Sequence, residues 1–291
     1  MSKELKIGLP KGSLQDATIK LFAKSGWKIN LHHRNYFPDV NDKELNISMC
    51  RVQEVSRYIE DGVLDCGLAG KDWVLENKSD VVEISSLVYS KVSNRPARWI
   101  LAVAGDSAYK KPEDLAGKKI ATELLGATKE YFESKNIPVD VFYSWGATEA
   151  KVVEGLCDAI VEVTETGTTI KAHGLRVIDE VMSTNTVFIV NKDAWNDPWK
   201  RKKIENINLL LQGALRAEKM VGLKMNMPKA SLEKAMKVMP SLNSPTVSDL
   251  SDPEWVSVEI MVEEVVVREL IPELIDMGAE GIIEYPLNKV I

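Results

Sequence analysis

The stretch DAIVEVTETGTTI (158–170) decides how the chain is read. Ala159, Ile160, Val161 and Val163 form a buried-strand pattern with carboxylates on either side of the apolar centre. The pattern breaks at Glu165, Thr166, Gly167, Thr168 and Thr169, then resumes with helix-compatible Ile170, Lys171 and Ala172. A strand that enters a small hydroxyl-bearing turn and then a helix N-terminus is a ready anion site, because backbone N–H groups are exposed there and the helix dipole favours negative charge. Gly167 allows close backbone approach, and each threonine hydroxyl can donate to a phosphate. Asp158 and Glu162 only accept hydrogen bonds when ionised, so they suit the vicinal hydroxyls of a ribose, or a metal. The same residues also fit an ordinary strand–loop–helix with a Ser/Thr turn.

Working outward, 291 residues imply about two domains of ~150 residues. Hydrophobic residues make up 45% and charged residues 27%, the balance of a soluble globular protein with ample core. A net charge of −6 argues against a general binder of nucleic acid or anionic membranes. Cys50, Cys66 and Cys157 lie in apolar surroundings without metal-ligand spacing, so reduced thiols and a cytoplasmic location are expected. The opening MSKELKIGLPKGS has no apolar signal core, and no run approaches the ~18 apolar residues of a membrane span. The chain has three histidines, two of them adjacent (His32, His33), which makes a histidine metal site improbable.

Before this stretch the chain alternates. A strand over 5–9 closes at Pro10, Lys11 and Gly12, and Ser13 can cap a helix carrying Leu14, Ala17, Leu21 and Phe22. Lys11 and Gly12 thus occupy a strand-to-helix loop, where anionic substrates bind in open α/β sheets. Strands follow over 27–31, 45–50 and 66–69, with Arg34 in a loop, Arg51 at a strand end and Lys71 opening a short helix. The alternation changes character near 91–98 and restarts over 99–164, predicting mainly parallel sheets. Gly62-x-x-Asp65 recurs as Gly155-x-x-Asp158, each before an apolar strand, which places both loops at one cleft if two similar lobes face each other.

Downstream, a strand over 186–191 and a long helix over 201–221 lead to strand, helix capped by Ser231, two strands, helix and strand, the ferredoxin-like order. That unit is self-contained and places a boundary near 213.

In order and spacing, GLPKGSL (8–14), DCGLAGKD (65–72), GLCDAIVEVTETGTTIKAHGL (155–175), PSLNSPTVSDL (240–250), WVSVE (255–259) and MGAEGIIEYPLNKV (277–290) resemble the long form of ATP phosphoribosyltransferase, the first enzyme of histidine biosynthesis. The resemblance implies an α/β fold of two periplasmic-binding-protein-like lobes plus a C-terminal ferredoxin-like α+β regulatory domain. Lobe I would be discontinuous (1–92 and 185–213), lobe II would span 93–184, and the regulatory domain 214–291. It further implies that Glu165, Thr166, Gly167, Thr168 and Thr169 bind the 5′-phosphate of phosphoribosyl pyrophosphate, with Asp158 and Glu162 on its ribose hydroxyls. Lys11, Gly12, Arg51, Lys71 and Glu149 are candidates for the ATP and pyrophosphate side. Glu162 stands where the family commonly has Asp, and Ser13 where it usually has Arg.

The implied reaction displaces pyrophosphate at ribose C1 by N1 of adenine, which already carries a lone pair, so no side-chain base is required. Catalysis would come from alignment and from charge stabilisation of the leaving group, with Mg²⁺ assisting. The resemblance also implies feedback inhibition by histidine, held near Ser244 and Thr246, and a homo-oligomer of dimers forming hexamers. Two other classes share parts of the pattern. A solute-binding protein would have the two lobes but normally an export signal, and other phosphoribosyltransferases usually place paired acidic residues directly before the phosphate loop.

Overall fold

The computed structural model describes residues 3–31, 36–89, 96–240 and 244–291. His32, His33 and Arg34 lie outside the described residues, as do most of those at the change of pattern over 91–98. The chain divides into two compact units, residues 1–23 with 27–208, and residues 24–26 with 209–291.

The first unit opens with β1 (Leu5–Lys11), α1 (Gln15–Ser25), the short β2 (Ile29–Asn30) and β3 (Asp39–Val40), β4 (Leu45–Arg51), α2 (Val52–Glu60), β5 (Cys66–Gly70), α3 (Lys71–Glu76) and β6 (Val82–Leu87). It continues with β7 (Ala97–Ala104), β8 (Lys119–Thr122), α4 (Leu125–Ser134), β9 (Asp140–Tyr143), α5 (Thr148–Val153), β10 (Ala159–Thr164), α6 (Thr168–Ala172), β11 (Leu175–Thr184), β12 (Thr186–Val190), α7 (Lys192–Asn196) and α8 (Pro198–Ala217). The helix α1 begins one residue later than a Ser13 cap requires. Proline at the first position starts α8, and the Asp197 carboxylate accepts the N–H groups of Trp199 and Lys200 at 2.8 and 2.9 Å.

Two five-stranded sheets result, ordered β4-β1-β5-β12-β6 and β11-β7-β10-β8-β9. Read from the outer parallel strand, both follow one plan: three parallel strands, then two joined antiparallel. The sheets are therefore mixed rather than mainly parallel. Strands β6 and β11 carry alternating polar residues that mask their pairing, and β11 is further broken by bulges between Val177 and Asp179 and between Glu180 and Met182.

The Gly62/Gly155 echo is structural. Both glycines are left-handed (φ 71° and 70°), and each turn delivers an aspartate to the start of a central strand. Asp65 N–H donates to Lys6 O at 2.9 Å while its carboxylate accepts Lys6 N–H at 2.8 Å. Asp158 repeats this on Lys119, at 2.9 and 3.0 Å. Each aspartate clamps the neighbouring strand at the N-terminal end of the sheet, so the echo does not bring these two turns to the cleft, contrary to the sequence reading.

The two sheets meet through α3. The Trp99 indole N–H donates to the buried Asp72 carboxylate at 2.6 Å, and Trp73 packs edge-on against Trp99 with ring centroids 6.4 Å apart. Glu76, at the end of α3, accepts the Gly126 and Ala127 N–H groups at 2.7 and 2.9 Å, satisfying the first turn of α4. Strand β7 is buried on both faces: Trp99, Leu101 and Val103 enter one apolar cluster, Ile100 and Ala102 another.

The second unit adds β13 (Met220–Pro228), α9 (Leu232–Val238), β14 (Thr246–Asp249), β15 (Trp255–Glu263), α10 (Glu264–Asp276) and β16 (Glu280–Pro286). The antiparallel order β14-β15-β13-β16 is ferredoxin-like, as the sequence predicts. Period-two burial of Val221, Leu223, Met225, Met227 and of Val256, Val258, Ile260, Val262 packs one face against α9 and α10. On the other face Gly222 has no Cβ to obstruct the Tyr285 ring, whose hydroxyl donates to Glu259. Ser231 precedes α9 but its side chain makes no cap hydrogen bond, so its expected capping role is not realised.

The clamp predicts that Asp65→Ala and Asp158→Ala each lower thermal stability, because each leaves a strand N–H without its charged acceptor, at a cost of about 1.5–3 kcal/mol. The larger loss in Tm is expected at Asp65, whose side chain is 10% exposed against 31% for Asp158. Unchanged melting curves for both variants would refute the clamp.

Candidate functional site

The parallel strands β5 and β10 both end at a cleft of about 550 Å³. From the first sheet it is lined by Ser13, Leu14, Val52, Gln53, Gly70, Asp72 and Trp73; from the second by Trp99, Glu123 and the run Glu162, Val163, Thr164, Glu165, Thr166, with Thr169. Thr184, Asn185 and Thr186, the crossing between β11 and β12, also line it, and the Asn185 amide ties this crossing to Ser86 Oγ at 2.7 Å. A site outside the C-terminal ends of parallel strands is where open α/β sheets bind ligands.

The loop after β10 is shaped by its own hydroxyls. Thr164 Oγ1 accepts Gly167 N–H at 2.8 Å, and Gly167 takes a left-handed φ of 76° before α6 starts. Thr166 and Thr168 hydroxyls lie 2.8 Å apart, and both residues are exposed, as is Thr169. Thr166 and Thr169 line the cleft; Thr168 braces Thr166. Thr164, which the sequence reading passed over as part of the strand, is what bends the loop.

Glu162 is the loop's neighbour one turn of pleat back. Burial pushes its carboxyl up to about 7, and the Glu149 and Glu123 carboxylates add to the rise; hydrogen bonds from Thr148 and from the Val163 N–H oppose it. Glu149, in the first turn of α5, therefore sits close enough to act on Glu162. Burial also raises Asp72, against the donors Trp99, Trp73 and Thr184. Glu123 and Asp72 were missed by sequence reasoning: one ends a strand, the other hides in a helix first turn, and neither stands in a hydroxyl-rich motif.

Asp158 must be corrected. It precedes the six residues of β10, so it lies about 20 Å from the loop at ~3.3 Å per residue. Its carboxylate is occupied by Lys119 N–H, by the Tyr109 hydroxyl at 3.2 Å and by Lys118 at 3.9 Å, away from the cleft. The cations are also dispersed. Lys71 starts α3 but its ammonium pairs with Glu83 at 2.8 Å. Lys11 ends β1 with its ammonium 3.7 Å from the Tyr36 ring centroid, and Gly12 follows at φ 114° beside Ser13. Arg51 is exposed at the end of β4, next to the cleft residues Val52 and Gln53. Among the described residues lining the cleft are four carboxylates, Asp72, Glu123, Glu162 and Glu165, and no lysine or arginine.

Burial raises the Cys50 and Cys157 thiols to about 11 and pushes the fully buried Cys66 thiol up as well, and the three cysteines are free, so none is a ready nucleophile. Among the described residues no helix is long and apolar enough to cross a membrane. In the second unit, Ser244 precedes β14, and Thr246, its exposed first residue, pairs directly with Glu259 of β15.

Comparison with known proteins is consistent along the whole chain. The family model for ATP phosphoribosyltransferase matches residues 51–213, and that for the HisG C-terminal domain matches residues 217–289. An ATP phosphoribosyltransferase of Solidesulfovibrio magneticus is 70% identical over 287 residues, 99% of this chain and 98% of that protein. ATP phosphoribosyltransferase 1 of Geobacter sulfurreducens is 60% identical over 291 residues, covering both chains completely. Among solved structures, the ATP phosphoribosyl transferase (HisG:HisZ) complex from Thermotoga maritima aligns with a TM-score of 0.61 and 27% identity, over 72% of this chain and 96% of that one. With two family models in sequence and full-length relatives at this identity, the chain belongs to the ATP phosphoribosyltransferase family, the pentosyl-transferring enzymes of histidine biosynthesis.

Proposed function

We propose that the cleft between the two sheets is where phosphoribosyl pyrophosphate and ATP react, with the loop Glu165–Thr169 on the 5′-phosphate and Glu162 on the ribose hydroxyls. The observation that carries this reading is the convergence of Glu162, Glu165, Thr166 and Thr169 on one cavity at the end of β10. Adenine N1 attacks ribose C1 with its own lone pair as the C1–oxygen bond to pyrophosphate breaks, so the protein's task is alignment and charge placement. Glu162 holds the sugar from the hydroxyl side, leaving C1 open to the base. Lobe I (1–92 with 185–213) supplies Gly12 and Ser13, and Lys11 and Arg51 stand nearby for the triphosphate; lobe II (93–184) supplies the phosphate loop.

An acidic cleft that receives two polyanions needs cations. Among the described residues no group of three or more acidic, cysteine or histidine side chains is arranged to hold a metal. Mg²⁺, which the resemblance implies, would find most of its ligands among substrate oxygens and would supply charge neutralisation for a leaving diphosphate.

Residues 214–291 are read as a regulatory domain that takes histidine near Ser244 and Thr246, in a cytoplasmic enzyme that assembles as dimers and hexamers. The Glu259 carboxylate opposite Thr246, which also accepts the Tyr285 hydroxyl, supports this, since it offers an anion to the α-ammonium group of histidine beside a hydroxyl.

The phosphate loop is tested by Thr166→Val and Thr169→Val. Each removes a charge-assisted hydrogen bond worth about 1.5–3 kcal/mol, so KM for phosphoribosyl pyrophosphate should rise roughly 10- to 100-fold with folding intact. Unchanged KM in both variants would sink the assignment. Glu162 is tested through stability. Its folded value of about 7 lies above the ordinary 4.5, so the penalty is absent below pH ~4.5 and grows as pH rises towards about 7. Glu162→Gln should therefore raise the Tm of the ligand-free protein near pH ~8, by an equivalent of up to about 3 kcal/mol, and the gain should shrink towards pH ~5. A gain independent of pH would contradict the assignment of the raised carboxyl. For the regulatory domain, Thr246→Val should weaken histidine binding and inhibition about 10-fold, measured by calorimetry on the full-length chain. Equal affinity in both proteins would move the histidine site elsewhere.

A further inference from the structure

The aromatic rings among the described residues lining the cleft, Trp73, Tyr89 and Trp99, are all buried, at 8%, 6% and 2% exposure. Packing uses up their faces, so none offers a free surface to a flat ligand. Trp145 does. It is 91% exposed, and its indole meets the Tyr143 ring edge-on with centroids 4.7 Å apart.

The backbone places this pair at the edge of the cleft. Strand β9 runs parallel to β8 with Tyr143 opposite Thr122, and the next residue, Glu123, lines the cleft. The Ser144 N–H continues the ladder to Thr122 O at 2.8 Å. Alternation along β9 puts Tyr143 on the face of Val141, which packs in the apolar cluster that holds Trp73 and Trp99. The pair thus stands at the C-terminal end of the parallel strands, on the strand beside Glu123, where open α/β sheets bind ligands.

The turn that carries Trp145 is braced from beneath. Lys151 Nζ donates to Ser144 Oγ at 2.7 Å and to the Gly146 carbonyl at 2.8 Å, so both chain neighbours of Trp145 are tied to one ammonium. Thr148 Oγ1 lies 2.8 Å from Ser144 Oγ, and both hydroxyl residues are buried. Gly146 has φ 111°, and Ala147 takes a left-handed φ of 47°, which costs an alanine strain and persists where the surroundings over-determine it. A strained, tied turn that holds a large apolar ring out in water is organised for a ligand, since the free chain gains nothing from it.

The transfer reaction brings a flat purine to this enzyme. Bases stack on indole faces whatever their hydrogen-bonding pattern. The reaction also changes the base: as N1 gives its lone pair to ribose C1, the ring takes up a positive charge shared with its exocyclic amino group. An indole face attracts a cation more strongly than a neutral ring, so the stack tightens towards the transition state.

We propose that Trp145, seated on Tyr143 and held by the Lys151-braced turn, is the stacking platform for the adenine of ATP. The proposal rests on the reading of the cleft as the site of the transfer reaction.

The test uses the full-length enzyme. Trp145 is almost wholly exposed, so its replacement leaves the core untouched. Trp145→Ala should weaken ATP binding, measured by calorimetry, roughly 5- to 100-fold. It should lower kcat about 3-fold while KM for phosphoribosyl pyrophosphate stays within about 2-fold of the parent value. Trp145→Phe keeps a ring and should retain most of the affinity. Inorganic tripolyphosphate, which lacks the base, should bind parent and Trp145→Ala equally. Unchanged ATP affinity in Trp145→Ala, an equal loss for tripolyphosphate, or a loss in Trp145→Phe as large as in Trp145→Ala overturns the platform. So does a change of oligomeric state in Trp145→Ala, which would assign the ring to a contact between copies. The phosphate-loop variants separate the two readings. If Thr166→Val and Thr169→Val leave KM for the sugar phosphate unchanged, the reading of the cleft falls and this proposal with it. If they raise it while Trp145→Ala binds ATP as the parent does, only the role of Trp145 falls.

Discussion

The buried Asp72 carboxylate, bonded to the Trp99 indole at 2.6 Å, is the constraint on which the cleft depends. Asp72 belongs to helix α3, which follows β5 of the first sheet, and Trp99 to β7 of the second sheet. Burial makes an unpaired carboxylate costly, so the aspartate demands the indole, and with it a fixed approach of the sheets. Trp73 and Glu76 extend the same contact along α3, one by ring packing and the other by capping α4. The ends of β5 and β10 therefore face one cavity, with the threonine loop on one wall and the residues of the first sheet on the other.

Within that frame each sheet repeats one device. A left-handed glycine turn presents an aspartate that grips the strand beside it by both its N–H and its carboxylate. The repeat explains why two carboxylates in one motif, Asp158 and Glu162, have unrelated tasks. Asp158 registers the strand at its start, while Glu162, four residues on, faces the cleft near its end. Motif proximity in sequence becomes separation in space because a strand rises ~3.3 Å per residue.

The same reasoning shows what could be read from residues alone. The strand–turn–helix over 159–172 and the ferredoxin-like order were legible because their signals are local: hydroxyls and glycine after an apolar run, and period-two burial in β13 and β15. Strands β6 and β11 were not, since their polar residues alternate irregularly and β11 is bulged, so periodicity fails where pairing is repaired by backbone geometry. The turn cation Lys71 looked available for anions, but its pairing with Glu83 depends on β6, an element the pattern hid. Asp72 and Glu123 were invisible for another reason: their meaning lies in contacts across 27 or more residues, or in burial, which spacing does not encode.

The acidic lining of the cleft has a consequence for inhibitor chemistry. Among the described residues of the lining the charged groups are Asp72, Glu123, Glu162 and Glu165, and since burial raises Asp72 and brings Glu162 to about 7, the field they make grows as pH rises through neutrality. A cationic group that enters the cleft meets that field as an attraction, and an anion meets it as a repulsion. The affinity of a cationic ligand for this cleft is therefore expected to rise with pH and to weaken at raised ionic strength as the carboxylates are screened.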